Sequence, residues 1–241
     1  MRESETEMPH DSVIELRRYT LHPGARETLI KLFDRELVET QEEVGMRVLG
    51  QFRDLGDPEQ FVWLRGFRDL ASRAPALAAF YGGPVWAAHR NAANATMVDS
   101  DNVLLLRPAP PTSGFTTSAR PRPATQARDG IVVATICHVE PSAASELGRL
   151  VATAFARGDV PMLAVLVTET AANDFPALPI REDAHDVVVW LTAMPEATGD
   201  EDPSDLLERW RALLPASLVE RLGDEPDVLR LAPTPRSSVV A

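Results

Sequence analysis

The chain has 241 residues, with 24 Lys and Arg against 36 Asp and Glu (a formal net charge of −12), and 44% of its residues are hydrophobic. That content suffices for one large domain or for two of about 120 residues each. The negative charge argues against nucleic acids and anionic membranes as partners, because both bind cationic surfaces. A single cysteine, Cys137, leaves no intrachain disulfide. The acidic first residues and the lack of a long apolar stretch predict a cytoplasmic protein without a membrane span.

The first half of the chain alternates strand and helix patterns. Period-2 spacing and turn residues predict strands, and an apolar stripe at nearly helical spacing predicts a helix after the first of them. A second helical region is broken at Gly82 and Gly83 and continues to Met97. The predicted strands are 13–21, 46–55, 61–67 and 102–107. The order is therefore βαββαβ.

A second copy of this unit follows a linker. Residues 109–129 are rich in Pro, Ser and Thr and have no hydrophobic period, which is typical of a linker. Beyond the linker, three blocks repeat blocks of the first half in the same order, with Trp190 in the place of Trp63. The repeat predicts strands over 131–139, 162–169, 186–194 and 227–231, and helices over 142–157 and 204–222.

The sequence thus predicts an α+β fold made of two tandem ferredoxin-like units, residues 12–108 and 130–233. Each unit is an antiparallel sheet in the order 4-1-3-2 with two helices on one face. The other apolar face needs a cover, and two units in one chain cover each other by packing sheet to sheet. The chain is then an intrachain pseudo-dimer, and a homodimer of such chains stays open.

Three segments, VIELRRYTLHPGARETLIKLF, FVWLRGFRDLASR and NVLLLRP, resemble the NIPSNAP family. The resemblance covers residues 12–108 directly and residues 130–233 through the repeat. It implies the dimeric α/β-barrel group, in which two ferredoxin-like units form one barrel. Relatives in that group include cofactor-free monooxygenases, polyketide cyclases, isomerases and haem-binding enzymes, so the resemblance implies a fold more than a reaction.

Polar residues on the first half's central strands form the first candidate site. Glu15, Arg17 and Tyr19 share one strand face, and Trp63 and Arg65 share a face of the neighbouring strand. One carboxylate can neutralise only one of the two arginines. The other arginine is left to bind an anionic or carbonyl-bearing ligand, and Tyr19 and Trp63 offer surfaces on which that ligand can stack. The same residues also fit a structural ion-pair network without a ligand. If the alternate strand residues face the barrel instead, the cluster lies beneath the helices.

A second candidate group is Tyr81, Trp86 and His89, which could line the cleft between helices and sheet. Trp86 and His89 are three residues apart and therefore share a helix face. His89 and Tyr19 are the candidate catalytic residues, with His89 as general base. A haem ligand and a structural or surface role are the alternatives for His89. No phosphate-binding loop and no metal-ligand spacing occur, so we expect neither a metal nor a cofactor.

Three functions follow from these observations. The first is a cofactor-independent enzyme that cyclises, isomerises or oxygenates a small organic molecule in bacterial secondary metabolism. The second is a non-catalytic binding or protein-interaction module, and the third is a haem-binding enzyme. We also expect Cys137 to be a buried apolar residue and the tail from Pro233 to fray.

Overall fold

A computed structural model of the chain describes residues 11–109, 114–115, 130–157, 161–181, 185–194, 202–223 and 225–240. Most of the predicted linker, residues 109–129, lies outside these ranges. The strands are β1 (Val13–Leu21), β2 (Arg47–Asp54), β3 (Gln60–Phe67), β4 (Met97–Pro108), β5 (Ile131–Val139), β6 (Met162–Thr168), β7 (Asp186–Met194) and β8 (Asp227–Pro233). The α-helices are α1 (Arg26–Leu32), α2 (Val38–Glu43), α3 (Leu70–Tyr81), α4 (Pro84–Asn94), α5 (Ala144–Phe155), α6 (Pro203–Leu213) and α7 (Ala216–Leu222).

The eight strands form one closed antiparallel barrel in the order β1-β3-β2-β8-β5-β7-β6-β4. Each half contributes four neighbouring strands, with its first and third strands in the middle. The halves join where β2 pairs with β8 and where β4 pairs with β6. These pairings satisfy the backbone groups that an edge strand would otherwise expose. The two sheets therefore enclose the core as one barrel rather than stacking as separate layers.

Apolar side chains from all eight strands fill the interior of the barrel. Ile14 and Leu16 of β1 belong to this core and are 1% and 0% exposed. Because side chains alternate along a strand, the residues between them point outward, towards the helices. The predicted polar cluster therefore lies beneath the helices and does not face the barrel. The barrel interior is a packed core.

Two elements differ from the sequence prediction for local reasons. The helix predicted over 204–222 is two helices, α6 and α7, because Pro215 lies between them and offers no backbone N–H for a helical hydrogen bond. In the first half, a π-helical segment, Phe33–Leu37, separates α1 from α2. Such insertions into α-helices are frequent at functional sites.

The tail beyond β8 does not fray. Its backbone continues along β2, where Thr234 N donates to Gln51 O at 2.8 Å and Val239 N donates to Leu49 O at 2.8 Å. Val239 belongs to the barrel core and is 3% exposed. Arg236 also forms an ion pair with Glu39 of α2. The prediction of a loose tail was wrong because strand pairing with the first half holds it.

Candidate functional site

A buried carboxylate on β1 is the centre of the site. Oε2 of Glu15 accepts hydrogen bonds from Arg17 Nη1 at 2.6 Å and from Arg65 Nε at 2.8 Å. Its Oε1 accepts one from Arg73 Nε at 2.8 Å. All four side chains are at most 2% exposed. Asp174, which is partly exposed, adds a second negative charge by pairing with Arg73. Three guanidinium groups face two carboxylates, so the cluster keeps one net positive charge.

The arginines keep Glu15 ionised. Burial by itself would raise its pKa, but the charges of Arg65, Arg17 and Arg73 outweigh burial and lower the pKa from 4.5 to about 2. Tyr19 shifts the other way, because burial raises the pKa of its phenol above the usual value. Arg17 Nε donates to the Tyr19 hydroxyl at 3.0 Å. Tyr19 is therefore a neutral phenol whose O–H can donate to a substrate oxygen.

Strand register brings the predicted residues of β1 and β3 together. Arg17 lies opposite Trp63, and Glu15 lies opposite Arg65. The guanidinium carbons of Arg17 and Arg65 lie 5.6 and 5.2 Å from the Trp63 ring centroid, within the range of cation–π contacts. Tyr19 packs edge-on against the same indole at 5.9 Å. These five residues form one cluster on the helix-covered face.

The two predicted groups meet at Tyr81. Its hydroxyl lies 3.4 Å from Arg65 Nη1, and its ring packs edge-on against Trp86 with centroids 5.1 Å apart. Tyr81 and Trp86 are half-buried, whereas Arg65 is fully buried. They form an aromatic path that leads from the surface towards Arg65.

His89 lies apart from the arginines. It is one turn beyond Trp86 on α4, and its Nε2 lies 3.5 Å from Oε2 of Glu36 in the π-helical segment. The side chain is 29% exposed. A carboxylate beside an imidazole orients the ring. The structure therefore places His89 near the aromatic path, with Glu36 as its partner.

A connection from the second half covers this site. Arg73 Nη1 donates to Asn173 Oδ1 at 3.1 Å and pairs with the neighbouring Asp174. The ring of Phe175 stacks on Tyr81 with centroids 6.4 Å apart. All three covering residues belong to the connection between β6 and β7, so the site of one half is closed by the other. We call residues 169–181 the covering loop.

The sequence prediction missed Arg73 and the covering loop. Arg73 shares the buried side of α3 with Leu77 and Phe80, which are four and seven residues further on. A charged residue at this helical spacing on an apolar face was the available signal. The covering loop mixes polar and apolar residues without a hydrophobic period, so its position over the other half could not be deduced from the sequence pattern.

A cavity of about 330 Å³ adjoins the cluster on the β4 side. Two of its lining residues touch the site: Asn173 accepts from Arg73, and Leu105 lies opposite Glu15 on the neighbouring strand. Its remaining walls come mainly from the covering loop and from the start of β7. The volume is in the range of small-molecule pockets.

Cys137 lies outside this site, on β5. Its side chain is buried, as predicted, and burial raises the pKa of the Cys137 thiol to about 12. Among the described residues, no three His, Cys, Asp or Glu side chains are placed to hold a metal ion. Within the same residues, no helix has the length and apolar character to cross a membrane.

Solved structures with the same fold match nearly the whole chain. A proposed monooxygenase from Lactobacillus acidophilus is 14% identical with a TM-score of 0.57, and the match covers 96% of this chain and 99% of that protein. An anthrone oxidase-like protein is 14% identical with a TM-score of 0.55, covering 98% and 97% of the two chains. At such identities the likeness establishes the fold.

The matches to a known protein family lie in the first half of the chain. A NIPSNAP-like domain protein from Burkholderia xenovorans is 28% identical with a TM-score of 0.41, covering 47% of this chain and 98% of that one. No curated protein matches the chain. The NIPSNAP family model matches residues 14–112. The resemblance inferred from the sequence is confirmed over these residues, where the chain is similar to the NIPSNAP family.

Proposed function

We propose that the chain binds a small aromatic molecule with an anionic or carbonyl oxygen, between the β1–β3 face and helices α3 and α4. The observation that carries the proposal is the convergence of Arg17, Arg65 and Arg73 on Glu15 at the inner end of an aromatic path. Buried charge that lacks a full set of partners is costly. A ligand oxygen close to Arg65 would balance the remaining positive charge.

The half-buried rings give this ligand its aromatic character. Tyr81, Trp86 and Phe175 lie at the outer end of the path, and planar rings stack or pack edge-on against such side chains. A flat, oxygenated polycyclic compound would satisfy both the rings and the arginines. Such compounds are typical products of bacterial secondary metabolism, and we place the protein there, in the cytoplasm.

The favoured reaction is cofactor-independent oxygenation of an anthrone-type substrate. His89, oriented by Glu36, would remove a proton from the ring CH₂, and Arg65 and Tyr19 would hold the enolate oxygen. The enolate reacts with O₂, the second C–H proton is lost, and CH₂ becomes C=O with the other oxygen atom leaving as water. The descriptions of the two full-length structural neighbours, monooxygenase and anthrone oxidase-like, support this class.

Binding without catalysis is the second candidate. The position of His89 favours this candidate. Its imidazole pairs with Glu36 and not with Glu15, the carboxylate on which the arginines converge. A haem-binding protein, with His89 as ligand, is the third. A Soret band in the purified protein would support haem, and a colourless protein would count against it.

We further propose that the fold arose from two tandem ferredoxin-like units, 12–108 and 130–233, with 109–129 as linker. The registers support this: Arg17 lies opposite Trp63, and Thr135, at the repeat position of Arg17, lies opposite Trp190. One unit could then keep polar residues for the ligand while the other serves as its structural partner. Association of whole chains into a homodimer remains compatible with this arrangement.

Anthrone binding and O₂ consumption test the proposal. The wild-type protein should bind anthrone, shown by quenching of tryptophan fluorescence, and consume one O₂ per anthrone oxidised. Arg65→Ala should lose both. Arg18→Ala is the matched control, because Arg18 lies next to Arg17 on β1 but pairs with the exposed Asp227. Binding without O₂ consumption would select the second candidate, and no binding would contradict the proposed ligand class.

A further inference from the structure

A row of four residues crosses the helix-covered face of the first half. Arg17 on β1 lies opposite Trp63 on β3, and Trp63 lies opposite Gln51 on β2. Thr234, just beyond β8, continues the row because its N–H donates to Gln51 O at 2.8 Å. All four are at most 2% exposed. We call Arg17, Trp63, Gln51 and Thr234 the polar row.

Most of the polar row lacks hydrogen-bond partners. Within the described part of the chain, Trp63 Nε1, Gln51 Nε2 and Oε1, and Thr234 Oγ1 have none. Buried polar groups in native proteins are nearly always satisfied, by protein, ordered water or a ligand. Four such atoms on three adjacent positions therefore indicate that something polar binds there.

The second half contains the same row, in which Thr135 Oγ1 and Trp190 Nε1 also lack partners, but it has apolar residues at the two outer positions. Thr135 lies opposite Trp190, Trp190 lies opposite Val165, and Ala109 N donates to Val165 O at 2.9 Å. Val165 and Ala109 thus take the places of Gln51 and Thr234. The fold accepts apolar side chains at these positions, so the glutamine and threonine are not needed for the backbone arrangement.

The helix above the row also differs between the halves. In the second half α5 packs tightly, since a Cβ added at Gly148 would lie 3.1 Å from Ala109 Cβ and 2.5 Å from Val167 Cγ1. In the first half the π-helical segment covers the row, and Phe33 from that segment packs on Trp63 at 4.9 Å. The helix above the row is therefore regular in one half and irregular in the other, and such irregular turns are frequent at functional sites.

We propose that Trp63, Gln51 and Thr234 bind a second oxygen function of the ligand, a hydroxyl or carbonyl on the side away from Arg65, with water in its place when no ligand is bound. This rests on the proposed function and narrows its ligand class to aromatic compounds with oxygen groups at two ends. Trp63 Nε1 and Gln51 Nε2 donate to that oxygen, and Gln51 Oε1 accepts from a hydroxyl. Arg17 connects the two oxygen sites, because it contacts both Glu15, the partner of Arg65, and Trp63.

The experiment compares anthrone with 3,6-dihydroxyanthrone, whose hydroxyls lie on the side away from the carbonyl, in the wild type and in the double variant Gln51→Val, Thr234→Ala, which copies the second half. The wild type should bind the dihydroxy compound at least about tenfold more tightly, since unpaired site groups disfavour an analogue that lacks the hydroxyl. The variant should bind both compounds equally and keep its affinity for anthrone. Without ligand, it should melt at the wild-type temperature or above, because it loses unpaired buried groups.

Each outcome has one meaning. A variant that melts lower and keeps the preference for the dihydroxy compound would overturn the inference, because the row would then be structural. Equal binding of both compounds by the wild type would overturn the second oxygen site and leave the proposed function standing. Binding of neither compound would overturn both. If the double variant fails to fold, Gln51→Met serves in its place, with the same expected loss of preference.

Discussion

The ring of Phe175, from the second half, stacks on the ring of Tyr81, from the first, with centroids 6.4 Å apart and planes inclined by 23°. The contact closes the outer end of the aromatic path. Together with the Arg73–Asp174 pair, it attaches the covering loop to the half that carries the arginines. A ligand that reaches Arg65 by this path must displace the covering loop.

Phe175→Ala should loosen the covering loop. The substitution removes the ring contact, so amide hydrogens of residues 170–181 should exchange faster, while those of β1 and β3 keep their protection. Anthrone should associate and dissociate faster. Hydrogen exchange by mass spectrometry and stopped-flow fluorescence measure the two effects. Glu146→Gln, which breaks an exposed ion pair with Arg221 elsewhere, is the control and should change neither rate. Unchanged exchange in Phe175→Ala would mean that the ring contact does not hold the covering loop.

Glu15→Gln should be strongly destabilising. It leaves three buried arginines without their common carboxylate, and removing one partner of a buried ion pair costs about 3–5 kcal/mol. Urea unfolding followed by circular dichroism measures the loss. Replacing all four buried charges (Glu15→Val, Arg17→Thr, Arg65→Thr and Arg73→Leu) should cost less than Glu15→Gln alone, since no fully buried charge stays unpaired; Asp174, which loses Arg73, is partly exposed. A larger loss in the fourfold variant would show that the ion pairs themselves stabilise the fold.

The stability of the protein should depend on pH through Glu15. Its pKa is about 2 in the folded protein against 4.5 for the ordinary group. A lowered folded pKa gives stability that is fully present above pH 4.5 and is lost as the pH falls towards 2, about 3 kcal/mol in all. The measured difference between wild type and Glu15→Gln isolates this contribution, because other carboxylates titrate in both. The difference should shrink between pH 4.5 and 2, and a constant difference would contradict the assigned pKa.

Gly50→Ala should destabilise the barrel. A Cβ at Gly50 would lie 2.5 Å from two ring carbons of Phe52, which is fully buried in the barrel core. Overpacking of this kind costs about 1–3 kcal/mol. Thermal unfolding measures the loss. The double variant Gly50→Ala, Phe52→Leu should recover part of it relative to Phe52→Leu alone, and full additivity of the two losses would rule out the clash.

Strand periodicity predicted which residues share a face but not which face meets the helices. Glu15, Arg17 and Tyr19 point one way and Ile14 and Leu16 the other, as a two-residue period requires. Both faces of β1 are buried, so hydrophobicity does not distinguish inside from outside. The choice depends on which face the second half and the helices cover, which is a property of the whole barrel.

The sequence did not predict the contacts between the two halves, and the reason is related. Asn173 and Phe175 lie about 100 positions from Arg73 and Tyr81, in a segment without a hydrophobic period. Thr234 and Val239 follow a strand-ending proline in a polar tail, a pattern typical of loose ends. Their order comes from pairing with β2, a distant strand.

The halves of the barrel are connected at two joints, the β2–β8 pairing and the β4–β6 pairing, and these joints have a consequence for folding. β2 and β8 share three aligned residue pairs, as do β4 and β6, whereas β5 and β7 share nine. Parting of both joints would leave two four-stranded sheets, each with two bare edges. Two chains opened in this way can complete each other's sheets, so concentrated refolding should yield domain-swapped dimers in which each barrel combines the first half of one chain with the second half of another.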